Sequence, residues 1–384
     1  MKKTTKRTLA LIAAVLLLAT MFTGCGASKK DTIKIGAVYP LTGGSSNGGN
    51  DELNATKLAI QEYNAKGGYN GQEVELISED DASEPSQSAT ATMKLITQDK
   101  VAAIVGAHNS SCTLADMEVI AKYNVPMVTP GSTAVSITNS GNAWITRACP
   151  MDALQAKALI SYINENENYS KIGIIHVNDE VGISGESVLR NSAEALGMEV
   201  FSQSFGLEDT DMTAQISSLK ADGAEALFIW CEYTPGAMIM KQARAMDWDV
   251  QFYSYTGTIH QDTFELSDNT YIGCVNTVPF LPISEDPICV EFVKKYKEAY
   301  GTEPSQNSGR AYDATNLLLA AIDKVGYEDA AKLQEAIRNT VDFEGVQGKI
   351  TIEPSNGEYN GEVMIVRAIE GGTWEKIGSA SSEN

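Results

Sequence analysis

The chain has 384 residues, and its 29 lysines and arginines against 50 aspartates and glutamates give a formal net charge of −21. Four basic residues and no acidic residue precede Cys25, so the part after Cys25 carries 25 minus 50, or −25. This charge excludes nucleic acid as a partner, because such binding needs a basic surface. The roughly 360 residues after Cys25 are too many for one ordinary core and suit two domains.

The N-terminus has the pattern of an export signal. Four basic residues lie within the first seven positions, a charge-free apolar stretch covers residues 9–22, and small residues then surround Cys25. This order predicts a lipoprotein signal peptide, residues 1–25, which ends at the lipidated Cys25. The alternative is a short uncleaved anchor, although a membrane-spanning helix needs about 20 apolar residues. With Cys25 acylated, the rest of the chain works outside the cytoplasm, attached to a membrane.

From residue 32 onward, short β-rich runs alternate with longer amphipathic runs, which is typical of an α/β protein with parallel sheets. The first unit has predicted strands at 32–39, 73–78, 102–105 and 126–128, and predicted helices at 51–66, 87–98 and 113–123. After Arg147 the pattern restarts, with strands at 171–177, 199–204, 226–230 and 251–254, and helices at 152–165, 185–196, 212–220 and 235–246. Two similar α/β units therefore stand in tandem.

The C-terminal part differs from both units. After a predicted strand at 271–278 come three helices, at 287–300, 309–324 and 329–338, and then strand-like runs at 348–352, 363–368 and 374–377. These strands are too few to bury the three helices in a third domain. We therefore expect this part to return and pack against the first two units. Segments that cross between two units would form a hinge, and the strand ends facing the cleft are where ligands of open α/β sheets bind.

Five cysteines follow Cys25, and their spacing fits neither a CxxC pair nor a zinc site. Apolar neighbours flank several of them, which favours buried free thiols, with one disulfide as the alternative. The five are Cys112, Cys149, Cys231, Cys274 and Cys289.

The sequence lacks the common catalytic motifs: it has no GxSxG, HExxH or Walker A lysine motif. Its three histidines lie far apart, and only His108 falls in a predicted loop at a strand end. A glycine-rich segment at 43–49 stands between a strand and a helix, as a phosphate-binding loop would. It has no following lysine, and flexible glycines at a turn are the alternative. We predict a protein that is not an enzyme and holds no cofactor or metal.

Two loops carry a more specific pattern. Residues 102–111 end a strand with His108-Asn109-Ser110-Ser111, and residues 125–133 end the next strand with Thr129-Pro130-Gly131-Ser132-Thr133. Adjacent parallel strands would bring both hydroxyl-rich loops to the same edge, beside free N–H groups at helix starts. Such a cluster suits a carboxylate ligand. The alternative is ordinary helix capping by serine and threonine.

With these loops, the chain resembles the branched-chain amino acid-binding proteins of bacterial ABC importers, which have the type I periplasmic binding protein fold. The resemblance covers about residues 33–352 and rests on the order and spacing of several segments. Besides the two loops, these are Ile33-Lys34-Ile35-Gly36, Asn64-Ala65-Lys66-Gly67-Gly68, Asp80-Asp81, Trp144-Ile145-Thr146-Arg147 and Lys241-Gln242-Ala243-Arg244-Ala245.

The resemblance implies two Rossmann-like lobes, joined by a three-stranded hinge, that close over a small molecule. We expect residues 31–148 and 278–346 to form the N-terminal lobe, and residues 149–277 and 347–378 to form the C-terminal lobe. The implied function is delivery of an amino acid of the branched-chain type to an ABC permease and its ATPases. A receptor that reports its ligand to a sensor is the alternative, and the missing motifs disfavour a secreted hydrolase.

The resemblance also implies ligand-binding residues. Ser110, the backbone of Gly131, and Thr133 match the positions that hold the ligand carboxylate, and Tyr233 matches a ligand-binding tyrosine. Thr256 stands where the family has the acid that holds the ligand ammonium, so Glu232, next to Tyr233, becomes the candidate for that role.

Other positions also depart from the family pattern. Gly48 and Val181 replace ligand-lining tyrosines, and Ser83 and Asn109 replace cysteines that pair in some relatives. The lost acid leaves other carboxylates open as ligands, including aromatic acids. The side chains that would contact an aromatic acid are Trp230, Tyr233, Tyr253 and Tyr255, which could equally belong to the core.

Overall fold

The computed structural model describes residues 32–381 of the chain, and the predicted signal peptide with Cys25 lies outside this range. A five-stranded parallel sheet forms the first half, with strand order β2-β1-β3-β4-β5. Its strands are β1 (Ile33–Tyr39), β2 (Val74–Asp80), β3 (Ala103–Gly106), β4 (Met127–Thr129) and β5 (Ile145–Arg147). Most side chains of β1, β3 and β4 are buried, as expected for parallel strands that helices cover on both faces.

The helices of this half follow the predicted alternation. They are α1 (Ser46–Ala65), α2 (Pro85–Lys94), which continues as a π-helical turn at Leu95–Asp99, α3 (Ser110–Tyr123) and the short α4 (Ser136–Asn139).

A seven-stranded sheet forms the second half, with strand order β15-β14-β10-β9-β8-β6-β7. The strands from β10 to β7 are parallel, and the β14–β15 hairpin pairs antiparallel with β10. The strands are β6 (Lys171–Val177), β7 (Glu199–Phe205), β8 (Ala226–Trp230), β9 (Gln251–Ser254), β10 (Val275–Val278), β14 (Glu362–Ile369) and β15 (Thr373–Ser381). The helices are α5 (Asp152–Asn166), α6 (Glu180–Glu194), α7 (Thr213–Ala221), α8 (Tyr233–Ala245) and α9 (Asp262–Leu266), with a 3-10 turn at Thr256–Thr258.

The C-terminal part returns as predicted. Its helices are α10 (Pro287–Tyr300), α11 (Gln306–Val325) and α12 (Ala330–Arg338), and a small antiparallel sheet follows with β11 (Phe343–Gly345), β12 (Gly348–Glu353) and β13 (Glu358–Asn360). Helix α11 packs along α1 and against β4, while β14 and β15 extend the second sheet. The chain therefore passes between the two sheets three times, at residues 148–151, 279–286 and 339–361.

We call the five-stranded sheet with α1–α4 and α10–α12 the first lobe, and the seven-stranded sheet with α5–α9 the second lobe. This arrangement confirms the predicted α/β fold with two lobes. The exact lobe boundaries stay a prediction.

The start of α1 differs from the sequence prediction. The glycine-rich segment predicted as a loop supplies the first helical turn, so the helix begins at Ser46 rather than at Asp51. Added Cβ atoms would lie 2.1 Å from the Pro40 backbone oxygen at Gly49 and 2.8 Å from the His108 Cε1 atom at Gly48. These glycines allow close packing, which explains them without a phosphate ligand.

Two further observations concern the described residues. All five cysteines after Cys25 are buried and free, as predicted. Within residues 32–381, the helices are too short or too polar for any of them to cross a membrane.

Candidate ligand-binding site

The two hydroxyl-rich loops lie side by side, because β3 and β4 are neighbouring parallel strands. The Ala134 N–H donates to the Ser110 hydroxyl oxygen at 3.3 Å, and the hydroxyl groups of Thr113 and Ser132 are 2.7 Å apart. Ser110 is the first residue of α3, so free N–H groups of a helix start surround its hydroxyl. The structure therefore brings the loops together as predicted from the order of the strands.

A small cavity lies between the lobes at these loops. It is lined from the first lobe by His108, Asn109, Ser110, Gly131, Thr133, Gln306 and Arg310, and from the second lobe by Val181, Glu232, Tyr255, Thr256 and Gly257. Its volume is about 20 Å³, which is room for about one water molecule. A ligand of amino-acid size therefore needs the two sides of the cavity to move apart.

Five of the six predicted ligand-binding residues line this cavity: Ser110, Gly131, Thr133, Glu232 and Thr256. Tyr233 lies outside it. The Tyr233 hydroxyl accepts a hydrogen bond from the Asn47 side chain, and the Tyr233 ring stacks on His260 at 4.2 Å between ring centroids. Since Asn47 belongs to the first lobe and Tyr233 to the second, this bond connects the lobes. A contact between Tyr233 and the ligand stays a prediction.

The other aromatic candidates also divide between residues at the cavity and residues away from it. Tyr255 lines the cavity, and Trp230 stacks behind it with ring centroids 4.5 Å apart. Tyr253 stacks on Phe228 at 5.1 Å and belongs to the core.

A buried histidine connects two acidic residues across the cleft. The His108 Nδ1 atom lies 3.0 Å from Glu52 Oε1, and its Nε2 atom lies 3.5 Å from Glu232 Oε1. The side chain of Glu52 is fully buried, whereas that of Glu232 is 32% exposed. Burial alone would lower the pKa of His108, but the charges of Glu52 and Glu232 raise it to about 10. His108 is therefore an imidazolium at neutral pH.

Gly48 makes room for this histidine. A Cβ atom at Gly48 would lie 2.8 Å from His108 Cε1 and 3.0 Å from Asn307 Nδ2. The space beside Gly48, where the family has a tyrosine, is therefore occupied by His108 and Asn307. This explains the departure at Gly48 that the sequence could not explain.

Thr256, at the position where the resemblance implies an acid, makes two neutral hydrogen bonds, of which the one to Gln306 crosses to the first lobe. Its hydroxyl donates to Gln306 Oε1 at 3.0 Å, and its N–H donates to Gln155 Oε1 at 3.1 Å. Thr256 is almost fully buried.

Arg310 is a cationic residue of the cavity that the sequence reasoning missed. It lies one turn into α11 and is 2% exposed, and its Nη2 group donates to Asn307 Oδ1. The only signal for Arg310 was weak: it is an arginine within a predicted amphipathic helix of small and apolar residues. His108 offered a stronger one, as the only histidine in a predicted strand-end loop, while Glu52 carried no signal.

Known proteins are similar to this chain over most of its length. The family model described as "Periplasmic binding protein" matches residues 32–373. The leucine-, isoleucine-, valine-, threonine- and alanine-binding protein of Pseudomonas aeruginosa is 27% identical over 367 residues, which cover 95% of this chain and 96% of that protein.

Solved structures are similar over the same range. A leucine-binding protein from Thermotoga maritima has 29% identity and a TM-score of 0.85, covering 92% of this chain and 99% of that chain. A solute-binding protein from Rhodopseudomonas palustris BisB5, in complex with 3,4-dihydroxybenzoic acid, has a TM-score of 0.83, with 92% and 98% covered. Its identity of 23% supports the fold alone.

Proposed function

Because this chain belongs to the periplasmic binding protein family, which makes it a solute-binding protein and not an enzyme, we propose that it captures a small carboxylate-bearing solute between its lobes. One observation supports the proposal most. Ser110, Gly131 and Thr133 meet at a cavity between the two lobes, beside free N–H groups of a helix start. Hydroxyl and N–H donors in such a place form charge-assisted hydrogen bonds with a carboxylate.

The first candidate ligand is an amino acid of the branched-chain type. The Pseudomonas aeruginosa relative is described as binding leucine, isoleucine, valine, threonine and alanine, and the Thermotoga maritima protein as binding leucine. Both cover nearly the whole chain, so their ligand class is a reasonable starting point. Glu232 at the cavity wall would then hold the ligand ammonium.

The second candidate is a small carboxylate without an ammonium group. Glu232 is already paired with His108 at 3.5 Å, and Thr256 offers a hydroxyl instead of a charge. An amino acid would have to share Glu232 with an imidazolium, whereas an acid without an ammonium group would not.

A binding screen with one matched pair of variants tests the proposal. We expect isothermal titration calorimetry to detect binding of leucine, isoleucine or valine, or of their 2-oxo analogues, to the purified protein. Ser110→Ala removes a hydrogen bond to a charged group, which costs about 1.5–3 kcal/mol, or roughly ten- to a hundredfold in affinity. Ser111→Ala, at the next residue and outside the cavity wall, is the control and leaves affinity unchanged. Equal affinity of the Ser110→Ala variant for every ligand would contradict the carboxylate site.

We further propose that the protein is a lipoprotein anchored through Cys25, and that it delivers its solute to an ABC permease driven by ATPases. The export-signal pattern before Cys25 supports the anchor. A gene neighbourhood with permease and ATPase genes would support import, whereas a neighbouring sensor gene would favour the alternative of a ligand-sensing receptor.

The proposed lobe boundaries, 31–148 with 278–346 and 149–277 with 347–378, have support from the sheets. The five-stranded sheet and α10–α12 fall within the first pair of ranges, and the strands from β6 to β9 fall within the second, as do all residues of β10 except Val278.

A further inference from the structure

Arg310 is a buried cation that faces the cavity without a carboxylate partner. Arg310 is 2% exposed, and no carboxylate oxygen within residues 32–381 lies within 4.0 Å of its guanidinium nitrogens. Asn307 Oδ1 accepts from Nη2, while the Nε atom has no hydrogen-bond partner among the described residues. Burying a cation is costly unless an anion or several acceptors compensate for the lost water.

Arg147, a second buried arginine within residues 32–381, also has an Nε atom without a hydrogen-bond partner, but its other guanidinium nitrogens have the anionic and backbone carbonyl partners that Arg310 lacks. Arg147 pairs with Glu358 at 2.9 Å. Its guanidinium also donates to the backbone oxygens of Ser132 and Ala134 at 2.9 and 2.8 Å, and to the Thr138 hydroxyl at 2.7 Å. Arg147 lies away from the cavity wall and Arg310 lies in it. The difference indicates that the partner of Arg310 comes from the cavity.

The charges around the cavity point to the sign of that partner. His108 faces two carboxylates, Glu52 and Glu232, whereas Arg310 faces none, although both side chains line the cavity. Glu232 is 32% exposed, and it already pairs with His108. A ligand carboxylate could therefore pair with Arg310, while a ligand ammonium group would add a third cation beside His108 and Arg310.

We propose that Arg310 contacts the ligand and selects solutes with a net negative charge: a carboxylate without an ammonium group, or an amino acid with a second carboxylate. This inference rests on the proposed carboxylate capture and distinguishes between its two candidate ligand classes. Arg310 lies on α11, apart from the hydroxyl loops that the family resemblance assigns to the carboxylate. It is therefore an additional specificity-determining residue.

The test uses two pairs of probes in which only the charge pattern changes. Leucine is compared with 4-methyl-2-oxopentanoate, which lacks the ammonium group, and glutamine with glutamate, which adds a carboxylate. Calorimetry on the full protein should give at least tenfold tighter binding of the anionic member in one pair. If the oxo acid binds more tightly than leucine, Arg310 balances the charge of a single carboxylate. If glutamate binds more tightly than glutamine, Arg310 binds the second carboxylate of the ligand.

The variants then assign the preference to Arg310. Arg310→Gln should remove the preference by weakening the anionic probe at least tenfold and the neutral partner much less, while Arg310→Lys should keep part of it. Arg190→Gln changes an arginine outside the cavity wall, and should leave all affinities unchanged. Since Arg310 has few partners in the protein, its glutamine variant should unfold at a temperature no lower than the wild type. A purely structural role would lower that temperature and weaken all four probes alike.

The outcomes separate this inference from the proposed function. Tighter binding of leucine and glutamine than of their anionic partners, or equal weakening of both members of a pair by Arg310→Gln, overturns the role of Arg310. If leucine binding still depends on Ser110 in that case, carboxylate capture stands. Absence of binding by all four probes, and by the ligands of the first screen, rejects carboxylate capture and this inference with it.

Discussion

Replacing His108 with glutamine should destabilise the protein strongly, because it removes the cation beside a fully buried carboxylate. The Glu52 side chain has no exposed surface and its Oε1 atom lies 3.0 Å from His108. Breaking one side of a buried ion pair costs about 3–5 kcal/mol. The contact with Glu232 contributes much less, since an exposed ion pair is worth about 0.2–1 kcal/mol and Glu232 is 32% exposed. Nearly all of the loss therefore comes from Glu52.

The double variant His108→Gln with Glu52→Gln is the matched control. It removes both charges, so no buried charge is left unpaired, and it should recover most of the stability that the single variant loses. Urea unfolding of the wild type, the two single variants and the double variant, followed by tryptophan fluorescence, gives the coupling energy. A His108→Gln variant as stable as the wild type would refute the reasoning.

The ion pair between His108 and Glu52 also predicts how the stability of the protein depends on pH. The pKa of His108 is about 10 in the folded protein, against an ordinary value of 6.5, because the neighbouring acids outweigh burial. A histidine whose pKa is raised by folding stabilises fully below about pH 6.5, and that contribution disappears as the pH rises toward 10. The stability of the wild type relative to the double variant should fall over this range, by at most about 1.4 kcal/mol per pH unit. A difference that stays constant from pH 6.5 to 9.5 would show that His108 is not charged in the fold.

Four further predictions follow from the sequence and the structure. Gly48→Ala should cost about 1–3 kcal/mol of unfolding free energy, because its methyl group would lie 2.8 Å from the His108 ring, while Gly44→Ala, with no atom within 4 Å, should cost much less. Burial raises the pKa of Asp116 to about 8, so the wild type loses stability as the pH rises from about 4 to 8; Asp116→Asn should lack this loss and be the more stable protein at pH 9. Cys25→Ala should release the protein from the membrane or leave it unprocessed, and a normally cleaved variant that stays membrane-bound would contradict the lipid anchor. Small-angle scattering should give a smaller radius of gyration with ligand than without, because a ligand held by residues of both lobes closes the lobes over it; identical profiles would indicate a rigid site.

The sequence predicted best those elements whose ends are set locally. The strands at 171–177, 226–230 and 251–254 agree with β6, β8 and β9 residue for residue, because each is a β-rich run with turn or charged residues at its ends. The short strands β5, β11 and β13 were missed as strands. Each has only three residues, too few to show the alternation of apolar and polar residues by which a strand is recognised. The start of α1 was missed because glycine was taken as a sign of a turn, whereas here it allows close packing.

The same distinction applies to the candidate site, where some residues could be predicted from the order of the strands and others could not. Ser110, Gly131 and Thr133 could be placed together because neighbouring parallel strands end at one edge. Arg310 at the cavity and Glu52 beside His108 could not, since both lie on helices that only the tertiary fold brings there. Side chains placed by helix packing leave no short-range pattern in the sequence.

His108 accounts for the departure from the family pattern at Gly48 and also affects the acid Glu232. Its ring occupies the space beside Gly48, which a tyrosine would otherwise fill, and its charge pairs with Glu232 across the cleft. An imidazolium of the protein therefore stands close to the acid that a ligand ammonium would need. With Thr256 neutral and Arg310 lacking a carboxylate partner, a ligand ammonium would add a further cation beside His108 and Arg310, whereas a ligand carboxylate would meet the donors of the hydroxyl-rich loops and of Arg310. The departures from the family pattern thus belong together and favour an acid that brings no ammonium, or brings an extra carboxylate.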